Sequence, residues 1–258
     1  MFSPEKNAQK VLPTHLVDYL ADDLAASLMK QLEAFCALAE TEGVRIRPYT
    51  ERCIQEFRNF PTEVQTLIYK NFNFYFEAVQ SIQASGIALR DTPRSLWHLF
   101  KMRGLRPTSD LFTVITDRSI VELYLPNHIQ WYRSFNYYEY TSYSLGDLIC
   151  YKWSDLFAHN ETLMNYIMEA GEKIFSGAIK SSLLPPFEPV VSQEQFSEKR
   201  YVAQVHMQML SPIINELGHN EACAAISSIE LLENDNSLDI EKPQGPPFKY
   251  SDGPLLVV

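Results

Sequence analysis

Glu139-Tyr-Thr-Ser-Tyr-Ser-Leu-Gly-Asp-Leu-Ile-Cys-Tyr-Lys-Trp-Ser-Asp-Leu-Phe157 lies in the middle of the 258-residue chain, and its reading decides the fold. A short helix is predicted to begin at Ser144, with Asp147 in its first turn. A second short apolar element is expected around Trp153 and Phe157. The segments on either side read as strands, because β-branched and aromatic residues suit a pleated, half-buried surface. The stretch is therefore expected to be a helical flank closing over a sheet, which makes the fold class α+β.

N-terminal to this stretch the chain reads as helical. From Thr14 to about Glu42, Leu16, Leu20, Leu24, Leu28 and Leu32 recur every four residues, and Phe35 and Leu38 continue the face. Gly43 is a natural stop, since glycine reaches the left-handed region without strain. A second helix is predicted from near Thr50, with Cys53, Ile54 and Phe57 as its apolar edge, and Pro61 interrupts it. The third runs from Thr62 to about Ser85, where Phe72, Phe74, Tyr75 and Phe76 wrap more than one face. Such a helix is either central to its bundle or forms a partner surface, and the core reading is preferred. Thr92-Pro93 opens a fourth, whose apolar side is read as Leu96, Trp97, Leu99, Phe100 and Met102.

Beyond it the pattern changes to strands. Leu111 to Thr116 and Ile120 to Leu125 are predicted as a hairpin around Asp117-Arg-Ser119. His128 to Tyr143 is crowded with aromatics, and a helix is expected from about Glu161 to Ser176. Leu183 to Pro189 reads as a proline-rich loop. Arg200 to Leu210 alternates as a strand, with Val202, Val205, Met207 and Met209 among polar neighbours and one slip in register. A turn at Glu216 to Gly218 leads to a last strand, Ala222 to Leu232. The expected organisation is a helical region over 1–106 for dimerisation or partner docking, a sheet-bearing domain over 107–232, and an extended or disordered tail over 233–258.

Four pieces of this chain resemble the PAS sensor family. Phe112-Thr-Val-Ile-Thr-Asp117 with Ile120-Val121 looks like the family's opening hairpin. Tyr140-Thr-Ser-Tyr-Ser-Leu-Gly-Asp-Leu148 is similar to its Thr-Gly-Tyr-Ser-x-x-Glu-Leu helix start, with Ser142 where glycine is usual. Trp153 to Glu161 looks like the step into the following helix, and Arg200 to Ile229 like the final strands. The resemblance covers about residues 110–232 and implies a PAS-like antiparallel sheet with flanking helices. Two segments depart from the family, one between Val121 and Tyr143 and one from Ile179 to Gln195, both longer than usual. What the resemblance implies for function is a sensory or signalling protein without its own catalytic output, transmitting through helices to a partner. The other reading is a ligand-free protein–protein interaction scaffold.

The chemistry available narrows the choice. The net charge of -10, from 22 basic and 32 acidic residues, repels nucleic-acid phosphates and anionic membranes. Lys101, Arg103 and Arg106 form the best basic cluster and read as a solvated helix end. No apolar run is long enough to span a membrane, and the start Met1-Phe-Ser-Pro-Glu5 turns polar without a leader pattern. The four cysteines have no C-x-x-C spacing, so they are expected as free thiols in a cytoplasmic protein. No P-loop, G-x-S-x-G, H-E-x-x-H or G-x-G-x-x-G run occurs, and no enzyme activity is expected.

Flavin and haem lack a supporting motif. Cys150 lies three residues before the position near Trp153 that the flavin branch of the family needs. His15, His98, His128, His159, His206 and His219 read as surface or hydrogen-bonded side chains rather than haem ligands. What remains is an apolar pocket between sheet and helices for a small ligand. Its candidate lining is Tyr143, Leu148, Trp153, Phe157, Met164, Ile167, Val205, Met207 and Met209. A core position for Trp153 would make truncation to alanine cost about 3–5 kcal/mol.

Overall fold

The computed structural model describes residues 14–232, apart from 108–109, 127–129, 159, 187 and 198, with side chains from residue 24 onward. The expected tail over 233–258, the side chains of His15, Leu16 and Leu20, and both His128 and His159 lie outside the described residues.

Four helices form where the periodicity places them: α1 (Thr14–Thr41), α2 (Glu51–Asn59), α3 (Thr62–Ala84) and α4 (Thr92–Arg103). Leu28, Leu32 and Phe35 of α1 are buried. The Thr50 hydroxyl accepts from the Cys53 N–H and starts α2. Gly104, at φ 61°, ends α4 in the left-handed region. α3 is central: Phe72, Tyr75 and Phe76 pack 5.7, 5.1 and 5.8 Å from Phe35. On its other side Phe74 lies 5.4 Å from Trp131 of the sheet. The apolar side predicted for α4 needs correction. Leu96, Leu99 and Phe100 are buried at i, i+3 and i+4, while Trp97 is 61% and Met102 43% exposed, because they point off that stripe.

The remaining elements are β1 (Leu105–Pro107), α5 (Leu111–Val114), β2 (Ile120–Tyr124), β3 (Gln130–Arg133), a 3₁₀ turn (Phe135–Glu139), α6 (Leu145–Cys150), α7 (Trp153–Leu156), β4 (Phe157–Ala158), α8 (Glu161–Phe175), β5 (Val190–Glu194), β6 (Val202–Asn215) and β7 (Asn220–Leu232). The strands form one curled antiparallel sheet in the order β3-β2-β7-β6-β5-β4. β5 pairs with Val202 to Val205 of β6, and β1 pairs with Ile213 to Asn215 further along the same strand. The register slips between Met207 and Met209 and again between Ile213 and Ile214. Bulges of this kind bend a strand and curl its sheet.

The predicted hairpin of Leu111 to Thr116 with Ile120 to Leu125 is replaced by a different one. Leu111–Val114 is a single helical turn, α5, in which Thr113 donates from both N–H and hydroxyl to the Asp110 carbonyl. No strand position is open to it, because β2 is already paired with β3 on one edge and β7 on the other. Leu111 is buried, and Phe112 stands edge-on to Trp97 and Phe100 at 5.6 and 6.2 Å. The proline-rich linker likewise ends in a strand, β5.

Buried side chains run without a break from Leu28, Phe35 and Phe72 of the helices to Leu123, Met209 and Ile226 of the sheet. A second, smaller cluster lies on the opposite face of the sheet, where Ala170 and Ile174 of α8 meet Leu210, Cys223 and Ala225. Among the described residues no helix is long and apolar enough to cross a membrane.

Candidate functional site

Between α8 and the sheet lies a cavity of about 110 Å³. α8 is set there by Asn160, whose side chain accepts from the N–H groups of Thr162 and Leu163 at 2.8 and 3.4 Å. Leu163, Ile167, Gly171 and Phe175 recur every four residues along α8 and form one wall. The facing wall comes from Ala203, Val205, Met207 and Leu210 of β6 and from Cys223, Ala225, Ser227 and Ile229 of β7. Tyr140, Trp153 and Phe157 cover one end.

Five of the nine predicted pocket residues therefore meet there: Trp153, Phe157, Ile167, Val205 and Met207. The other four stand elsewhere, for separate reasons. Met209 falls after the bulge at Met207/Met209, so it faces the helices and Leu210 takes its place on the cavity side. Leu148 is buried in the core shared with α1–α4. Met164 is half-buried on α8, one position off the lining stripe. Tyr143 is buried just behind the wall: its hydroxyl donates to the Leu156 carbonyl and accepts from the N–H groups of Gln195 and Phe196 at 3.0 and 3.3 Å. Its ring stands edge-on to Phe157 at 5.5 Å.

The cavity also has a polar end that the nine residues do not include. Glu122, Tyr124, Tyr137, Ser192, Glu194, Tyr201 and Ser227 line it. Glu122 accepts from Arg133 Nε at 3.0 Å and from the Gln130 amide. The Arg133 guanidinium sits 4.1 Å over the Tyr137 ring. Burial pushes the Tyr137 and Tyr124 hydroxyls above the ordinary tyrosine range, so both remain neutral hydrogen-bonding groups.

Glu194 is 1% exposed. One carboxylate oxygen accepts from the Thr141 hydroxyl at 2.7 Å and the Ser142 N–H at 2.8 Å. The other accepts from the Ser142 and Ser197 hydroxyls and from the Tyr201 N–H at 3.1 Å. The only signal for it in the sequence is alternation: Ser192 and Glu194 share one face of a strand introduced by Val190-Val191.

Glu194 ties the cavity to the central stretch, and that stretch is tied to the helices. The Ser144 hydroxyl and the Asp147 carboxylate cap α6 reciprocally. Asp147 also accepts from the Thr50 hydroxyl at 2.9 Å. The N–H groups of Leu145 and Gly146 donate to the carbonyls of Arg47 and Pro48, each at 2.8 Å, and Arg47 donates to the Ser142 carbonyl at 2.9 Å. A chain of hydrogen bonds thus runs from the cavity wall through Thr141 and Ser142 to the α1–α2 connection. No known family model matches the chain, and no curated protein matches it in sequence.

Other candidate groups stand away from this cavity. His98 hydrogen-bonds Ser81 at 2.9 Å, and His206 is exposed, opposite Val205 and Met207. Cys150 is buried beside Cys53, whose thiol donates to the Thr50 carbonyl at 3.1 Å. The proximity of the two thiols lowers the Cys53 pKa and, together with burial, raises that of Cys150.

Proposed function

We propose that the chain is a PAS-type sensory module that binds a small, largely apolar ligand and has no catalytic output of its own. Its helices carry the state of the cavity to a protein partner or to a second copy of the chain. A reducing cytoplasm, where the four cysteines stay as thiols, is the compartment that suits it. The order of elements supports the family reading: β2 and β3, short helices, the longer α8, then the antiparallel strands β5, β6 and β7. The added α1–α4 pack on the face of the sheet opposite the cavity.

One observation carries the sensory part. Glu194 lines the cavity and also holds Thr141 and Ser142, just ahead of a helix bonded to the α1–α2 connection. A ligand that favours one arrangement of Glu194 shifts the population of both ends together.

The test is native mass spectrometry of the purified protein, compared with the denatured mass. A bound small molecule is expected, and Ile167→Trp, which fills the cavity, is expected to lose it. A chain that carries nothing and takes up nothing from a library of small apolar compounds would sink the reading.

A further inference from the structure

The cavity's lining has a sign. Seven of its side chains are aromatic: Tyr124, Tyr137, Tyr140, Trp153, Phe157, Phe175 and Tyr201. Two are carboxylates, Glu122 and Glu194, and among the described residues none is lysine, arginine or histidine. Arg133 pairs with Glu122 from behind the wall at 3.0 Å, so that charge is balanced within the protein. Glu194 differs, because its donors are neutral: three hydroxyls and two backbone N–H groups. They stabilise its charge without cancelling it. Lys199, five residues further along the chain, is exposed and donates to the Tyr201 hydroxyl at 3.1 Å.

Aromatic faces carry negative quadrupole potential and attract cations, more strongly where water is excluded. A carboxylate ligand would instead stand near Glu194 with like charge, which costs affinity. Size sets a further limit. A cavity of about 150 Å³ admits benzene, so one of about 110 Å³ holds a somewhat smaller body.

We propose that this cavity selects a small organic ammonium, an alkylamine or quaternary amine with a short apolar body, over neutral or anionic molecules of the same shape. The proposal rests on the ligand-binding reading above and names the ligand's class. The ammonium sits on the Glu194 side of the polar end, away from the Arg133 guanidinium over Tyr137, and the alkyl body lies against Ile167, Val205 and Met207.

The test is calorimetric titration of the intact chain with three matched probes: isobutylammonium, isobutanol and isobutyrate. Isobutylammonium is expected to bind at least about tenfold more tightly than isobutanol, with isobutyrate weakest. Glu194→Gln is expected to remove most of that preference, with circular dichroism reporting whether the variant folds. Tyr140→Lys, at a half-exposed lining position, provides a second variant and is expected to abolish the preference without relying on Glu194. Equal binding of isobutanol, or preference for isobutyrate, overturns the ammonium proposal and leaves ligand binding standing. So does ammonium binding that persists undiminished in Ile167→Trp, since it would lie outside the cavity. Failure of all three probes also overturns it, while the native mass comparison decides separately whether the chain binds a ligand at all.

Discussion

A carboxylate that is 1% exposed, as Glu194 is, is costly to bury unless its oxygens are hydrogen-bonded. Removing it strands the hydroxyls of Thr141, Ser142 and Ser197 and the N–H groups of Ser142 and Tyr201. Glu194→Ala is therefore expected to cost about 3–5 kcal/mol in urea unfolding. A loss below about 1 kcal/mol would mean that these donors find other acceptors. Trp153 needs a smaller figure than a core position implies. Its side chain is half-buried and lines the cavity, so Trp153→Ala is expected to cost about 1–2 kcal/mol while widening the cleft. A loss above about 4 kcal/mol would restore the core placement. Ser144 and Asp147 are legible from sequence because a cap depends on two residues three apart. Glu194 is not, because Ser142 and Thr141, the partners that tie it to the central stretch, lie 52 and 53 residues earlier in the chain.

At the scale of elements, the docking of α6 on α2 depends on close approach. A Cβ built on Gly146 would stand 2.7 Å from Cys53 Sγ, 3.0 Å from Tyr49 Cβ and 3.3 Å from the Pro48 carbonyl oxygen. Gly146→Ala is expected to destabilise by about 1–3 kcal/mol. Cys53→Ala removes the nearest of these atoms, so the double variant should recover part of the loss. A coupling energy near zero in that double-mutant cycle would show that the contact does not limit packing. The helices are readable because their stripes and caps are local. α1, α2, α3 and α8 lie within a residue or two of their predicted bounds. The strands are less so: β1, β3 and β5 are short and acquire their identity from β6 and β2, their partners in the sheet.

For the molecule as a whole, the buried tyrosines set an alkaline limit. Burial pushes Tyr138 and Tyr143 up to about 12, and Tyr75 well above the ordinary value of 10. The unfolded chain releases these protons near pH 10, whereas the folded chain holds them. Their contribution is complete below about pH 10 and is lost as pH rises through about 12. Each of these two groups accounts for on the order of 2–3 kcal/mol across that window. Cys36 and Cys223, raised from 9 to about 12, start the decline nearer pH 9. Unfolding and tyrosinate absorbance should therefore rise together. Tyrosines that titrate near pH 10 in an intact fold would contradict this picture of the core.

The amino-acid sequence by itself determined the helices, the cap at Ser144, the long β6–β7 hairpin with its register slip, and five residues of the cavity. All of these follow from periodicity and from neighbours close along the chain. Only the tertiary structure decided that Leu111–Val114 coils rather than pairs, since β2 has two edges and both are taken. It also decided that Met209 turns away while Leu210 turns in, and that Glu194 sits at the junction of cavity and helices. The central stretch of 139–157 shows both sides. Its helix starts are written locally, but what it joins depends on hydrogen bonds to residues about fifty and ninety-five positions away.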